Sequence, residues 1–144
     1  MRTLGTQVAL HLLLLALWVV SFFLPALSLD KPVVGYLTAL LSANVGYTFI
    51  RSHQVRDLYL GSFWLANLFM LASPFGLWRA RIRKGKVFLT FFAIFNVLTL
   101  SFGVYSRIHH DVGTVLIGWW LWEASLVGLT MLMFAIRRAH SADV

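Results

Sequence analysis

Glu123 is the residue best placed to do chemistry, because it is the only acidic side chain inside a strongly apolar run. The other four acids, Asp30, Asp57, Asp111 and Asp143, fall at the ends of such runs or in the tail. Counting back from Arg137 sets Glu123 about two helical turns below the outer surface of a membrane. An unpaired carboxylate there costs at least roughly 2–3 kcal/mol, so the group must find a donor or hold its proton. Three roles follow: hydrogen bonding between helices, contact with a second subunit or another protein, and a proton or ligand site.

The helical neighbours of Glu123 narrow these roles. At about 100° per residue Glu123 shares a face with Trp119, Trp120 and Thr130, while Gly118, Ala124, Ser125, Gly128 and Ala135 gather opposite. The small face suits close helix packing, which aims Glu123 toward a pocket between helices or a partner. Trp119, Trp120 and Trp122 bracket the acid closely enough to suggest an aromatic cage for a cation. Interfacial belts and packing are the simpler reading of all six tryptophans.

Asn67 and Asn96 fall near the middle of their apolar runs, and with Glu123 they form a candidate intramembrane polar layer. Interhelical hydrogen bonds of this kind contribute around 0.6–2 kcal/mol each, so helix cementing is the expected role. His11, early in the first run, reads the same way. His109, His110 and Asp111, with His53 elsewhere, supply metal-binding residue types without metal-binding spacing, so no metal site is expected. The chain lacks G-x-S-x-G, H-E-x-x-H and P-loop patterns, and no enzyme activity or cofactor is expected. Cysteine is absent, which excludes disulfides, thiol redox chemistry and thiolate metal sites.

These residues must be carried by membrane helices. Of 144 residues, 60% are hydrophobic and only 12% charged, with a mean hydropathy of +0.81. A soluble domain of that length has too little interior to hide so much apolar surface. The expected fold is all-α, an integral membrane helical bundle forming one domain over 1–144. Strong spans are expected at about 7–29, 58–78, 87–105 and 114–136. The segment 33–50 is weaker and reads as interfacial, re-entrant or a fifth crossing.

Orientation is read from the cations. Arg79, Arg81, Arg83, Lys84 and Lys86 crowd one short turn, and positive loops stay on the cytoplasmic side. Arg137 and Arg138 close the last run as further anchors. With 33–50 not crossing, eight cations lie inside and four outside, and a fifth crossing leaves the same eight and four. Arg2 and the terminal amine favour an inside start, which gives four spans with both termini cytoplasmic. The net charge of +7 sits at the ends of apolar runs rather than on a polar face, so lipid and not nucleic acid is the expected partner.

SFFLPAL, FWLANLF and WWLWEAS resemble small multi-span bacterial inner-membrane proteins in general and mark no single family. The functional expectation is a non-catalytic accessory, assembly or immunity-type protein that packs against another membrane protein. The alternative is a small oligomeric transporter or channel that couples protons through Glu123. A lipid-processing enzyme is a third, less supported reading.

Overall fold

The computed structural model describes residues 4–28, 31–40, 55–80, 86–108 and 114–142. Helix α1 covers Leu4–Ser21, followed by strands β1 (Pro25–Ser28) and β2 (Pro32–Val34). Residues 35–40 are again helical. Helices α2 (Val55–Leu71), α3 (Ser73–Ala80) and α4 (Lys86–Ile108) follow, then strand β3 (Thr114–Val115) and helix α5 (Ile117–Ala142).

Three helices are long and apolar enough to cross a membrane: Leu4–Ser21 with 18 residues, Lys86–Ile108 with 23, and Ile117–Ala139 with 23. At 1.5 Å per residue the longer two reach about 35 Å, against a hydrocarbon core of roughly 30 Å. The second expected span, 58–78, is not one helix. It breaks at Ala72 into α2 and α3, and its continuous apolar helical part is only Gly61–Leu71. Pro74 is the cause, since it lacks the N–H that would bond the Met70 carbonyl and its ring crowds that carbonyl. The chain stays helical on either side, with Ala72 N–H donating to Leu68 O at 3.0 Å and Gly76 N–H to Ala72 O at 3.1 Å.

The first expected span, 7–29, also divides. Its helix stops at Ser21, and Pro25–Ser28 becomes the central strand of a small antiparallel sheet in the order β2-β1-β3. Leu27 faces Val33 on one side and Val115 on the other. A proline is tolerated at the first position of a strand, where its missing N–H matters least. The weak segment 33–50 enters this sheet with Val33 and Val34, and 41–50 lies outside the described residues.

Ring contacts fix the helix directions. Tyr59 meets Tyr105 at 5.2 Å and Phe69 meets Phe92 at 5.6 Å, so α2 runs antiparallel to α4. Phe102 meets Trp119 at 5.3 Å and Asn96 donates to Thr130, so α4 runs antiparallel to α5. Gln7 and Leu10 of α1 share a groove with Ile136 and Ala139 of α5, which places the first and last helical residues at one end of the bundle. The sheet closes the other end.

Gly118 and Gly35 allow that closure. A Cβ on Gly118 would lie 2.8 Å from the carbonyl oxygens of both Leu24 and Pro25, and one on Gly35 would lie 2.9 Å from Phe22 Cα. Backbone approaches that close exclude any larger side chain.

The bundle is apolar without, and its largely apolar core of residues such as Phe92, Met70 and Leu126 also takes in polar side chains. His11, Asn96, Thr99, Glu123 and Ser125 are buried, while Leu12, Val97, Ile108, Met131 and Phe134 are exposed. Hydroxyl groups are satisfied by their own helices: Ser125 donates to Leu121 O at 2.8 Å, Thr130 to Leu126 O at 2.9 Å and Ser106 to Gly103 O at 3.1 Å. That internal satisfaction lets a helix face hydrocarbon without water.

Candidate functional site

Asn67, on α2, is the junction of three helices. Its Oδ1 accepts hydrogen bonds from Trp18 Nε1 on α1 at 3.0 Å and from Trp122 Nε1 on α5 at 2.7 Å. An indole N–H can only donate, so the two tryptophans fix which end of the amide is oxygen, and both lone pairs are used. Trp122 packs beside Trp119, with ring centroids 5.1 Å apart, and both meet Phe63 edge-on at 5.7 and 4.4 Å. This aromatic knot forms the core under the sheet.

Asn96 belongs to a different seam. Its Nδ2 donates to Phe92 O at 2.8 Å and to Thr130 Oγ1 across the α4–α5 interface. Its Oδ1 is buried without a partner. Asn67 and Asn96 therefore serve two separate contacts, α1–α2–α5 and α4–α5, and do not form the single layer their mid-span positions suggested. Helical spacing sets the depth of a residue but not the side of the bundle it faces.

Glu123 is 2% exposed and lies against Thr99 of α4. Neither carboxyl oxygen has a hydrogen-bond partner of good geometry, and the Thr99 hydroxyl on α4 is the polar group that bears on it. The Thr99 hydroxyl is already directed at Phe95 O, 2.8 Å away, and lies 3.2 Å from Asn96 O. The same hydroxyl is the polar group beside the Glu123 carboxyl. The indole N–H of Trp119, one turn earlier on α5, is also buried and unpartnered.

The small face of α5 behaves as its composition suggests. Gly118 meets the α1–β1 connection and a Cβ on Gly128 would strike Leu14 of α1 at 2.6 Å. With that face on α1, Glu123 turns inward to α4 and is not presented to a second subunit. Trp120 points away, at 43% exposed, so Trp119, Trp120 and Trp122 do not form a cage around the acid. His11 joins helices as its position suggested, and only its partner, Ser73, was not singled out in the sequence. His11 Nε2 and the wholly buried Ser73 Oγ are hydrogen-bonded at 2.9 Å, fastening α1 to the break between α2 and α3. Pro74 next to a serine was its only signal.

A cavity of about 30 Å³, lined in part by Asn67, Trp119, Trp122, Thr38 and Ser21, lies under the sheet. Its volume is that of a single water molecule, but its lining is almost wholly apolar. Among the described residues no three His, Asp or Glu gather as metal ligands. His53, His109, His110, Arg81, Arg83 and Lys84 lie outside the described residues, as does the side chain of Arg79. Lys86 opens α4, and Arg137 and Arg138 lie near the end of α5, at the same end of the bundle.

Fold and site together define a helical bundle with three helices of membrane-crossing length, apolar outside and enclosing an unpaired carboxyl. Compared with protein-family models, curated proteins and solved structures, the chain matches none.

Proposed function

We propose that this chain is a multi-span protein of the bacterial inner membrane, with both termini cytoplasmic, that acts without catalysis as an accessory, assembly or immunity-type partner of another membrane protein. The observation that carries this reading is a groove of about 540 Å³ between α1 and α5, in which Ala135 and Ala139 stay exposed beyond the point where Gly128 meets Leu14. Small residues spaced along one helix let a second helix approach closely, where packing rather than hydrophobic burial drives association. The positive end of the bundle, with Arg137 and Arg138, supports a cytoplasmic placement of that end.

The test is extraction of the tagged, natively expressed chain in mild detergent, with a photocrosslinking residue at position 135. A protein recovered in fixed ratio and crosslinked there supports the reading. A partner-free chain whose association behaviour is unchanged by Ala135→Leu removes its main support.

A second reading rests on Glu123 and Trp119, whose buried polar atoms are unpartnered. In it the chain forms an oligomeric proton-coupled transporter or channel, and Glu123 exchanges the coupled proton. Purified chain would then bind a cationic aromatic substrate in a pH-dependent way that Glu123→Gln abolishes. Binding unaffected by that substitution discards it.

A further inference from the structure

A second groove, of about 830 Å³, lies between α4 and α5 and shares Met131 with the one between α1 and α5. Thr90, Ala93, Ile94 and Val97 of α4 line it opposite Met131 and Phe134 of α5. Ile94, Val97, Met131 and Phe134 are all well exposed. The groove therefore lies open toward whatever surrounds the bundle.

Its two rows of residues continue into cations at one end only. On α4 the row Val97, Ala93, Thr90 extends by one further turn to Lys86, the first residue of the helix. On α5 the row Thr130, Met131, Phe134 extends by one turn to Arg137 and Arg138. Because the helices are antiparallel, all three cations come to the same mouth. Lys86 and Arg138 are exposed and Arg137 is half-buried. Arg81, Arg83 and Lys84 immediately precede Lys86 in the chain, and Asp143 is the single acid in 79–108 and 124–144.

Depth fits the same occupant. Taking the Asn96–Thr130 hydrogen bond as a level mark, Lys86 lies ten residues and Arg138 eight residues beyond it toward the basic end. Those separations are about 15 and 12 Å along the axes, close to half of a roughly 30 Å hydrocarbon core. With Asn96 near mid-membrane, the cations sit at headgroup level and the groove runs from there to the midplane. The first free N–H groups of α4 add partial positive charge at that mouth.

We propose that this groove is a binding site for an anionic phospholipid, with the phosphate held by Lys86, Arg137 and Arg138 and one acyl chain lying between Ala93–Val97 and Met131–Phe134. The apolar wall matches a hydrocarbon chain, and cations at one mouth match a negative headgroup. A zwitterionic lipid would share the chain contacts and gain little at the mouth. The site rests on the membrane-embedded part of the functional reading; it adjoins the α1–α5 groove at Met131, and label at Ala93–Val97 on α4 separates the two.

The experiment uses the full chain in nonionic detergent with phosphatidylglycerol carrying a photoreactive group in its acyl chain, and maps labelled residues by peptide mass spectrometry. Label is expected at Ala93–Val97 and Met131–Phe134. Unlabelled phosphatidylglycerol should compete at least tenfold better than phosphatidylcholine, and the advantage should shrink with salt. Replacing all three cations, K86Q with R137Q and R138Q, should weaken competition on the order of a hundredfold, at roughly fivefold per cation. Ala93→Phe fills the groove without touching charge and should remove the label while the chain stays folded.

Equal competition by the two lipids overturns the proposal, as does label spread evenly over the outer surface or an unchanged affinity in the triple variant. Protection of the groove by a second copy, seen as dimers crosslinked through position 97, also overturns it. A partner still crosslinked at position 135 in any of these cases leaves the functional reading standing.

Discussion

Trp122 gives its indole N–H to Asn67 at 2.7 Å, and the next residue, Glu123, faces α4 with no donor at either oxygen. Two adjacent side chains on α5 thus hold opposite kinds of site. The first is a satisfied contact that joins helices. The second is an unsatisfied polar group that the surrounding packing keeps in place.

Asn67→Leu should destabilise the bundle by roughly 1–3 kcal/mol, because it strands two buried indole N–H groups at once. Asn67→Asp keeps an acceptor and should lose less. Thermal unfolding in detergent, followed by tryptophan fluorescence, reads both. Equal losses in the two variants would show that shape, and not hydrogen bonding, holds this junction.

Glu123→Leu should leave stability unchanged or raise it by about 1–3 kcal/mol, since the wild-type carboxyl is desolvated without a compensating bond. Glu123→Lys should unfold the chain by placing a longer charge in the same seam. A lower melting temperature for Glu123→Leu than for wild type would mean that the carboxyl is bonded in the folded protein. A stabilised variant that loses biological activity would mark Glu123 as functional, because sites kept for function are often not optimal for stability.

His11 and Ser73 should show direct coupling. A double-mutant cycle with His11→Leu and Ser73→Ala is expected to give a coupling of about 0.6–2 kcal/mol across their 2.9 Å bond. Pro74→Ala should restore the missing helical hydrogen bond and draw Ser73 away from α1, which reduces that coupling. Coupling unchanged in the Pro74→Ala background would mean that the break does not position the serine.

Gly118→Val should cost roughly 1–3 kcal/mol or more, because its Cβ would meet two backbone carbonyl oxygens at 2.8 Å. Hydrogen exchange in 25–28 and 114–116 should rise with it. A Gly118→Val chain as stable as wild type would show that the sheet can move off the end of α5.

Reporters fused separately before α1 and after α5 should give the same sidedness, as the two helix ends lie at one end of the bundle. The cations at that end predict the cytoplasmic side for both. Opposite results would require a crossing between Ser21 and Val55.

Composition and hydropathy were enough to predict a helical bundle with helices apolar and long enough to cross a membrane, and three such helices are present among the described residues. The apolar periods also located α4 and α5 and singled out Glu123 as a misfit in its run. Boundaries were less legible. Pro25 and Pro74 are visible as punctuation, but a proline only forbids particular hydrogen bonds and does not say whether the chain bends, breaks or pairs as a strand. The β2-β1-β3 sheet joins segments almost ninety residues apart and leaves no local period to read.

The site itself was decided by tertiary structure. Spacing along α5 put Trp119 and Glu123 on one face, yet only the packing of Gly118 and Gly128 against the first helix and its following turn determined that this face meets Thr99. Likewise Asn67 and Asn96 both fall near the middle of their apolar runs, but one bonds Trp18 and Trp122 and the other Thr130, because the partners of a polar group depend on which helices lie beside it. Helical periodicity specifies rotation about one axis. The neighbour at each angle is set by how all the helices pack together, which sequence periodicity does not contain.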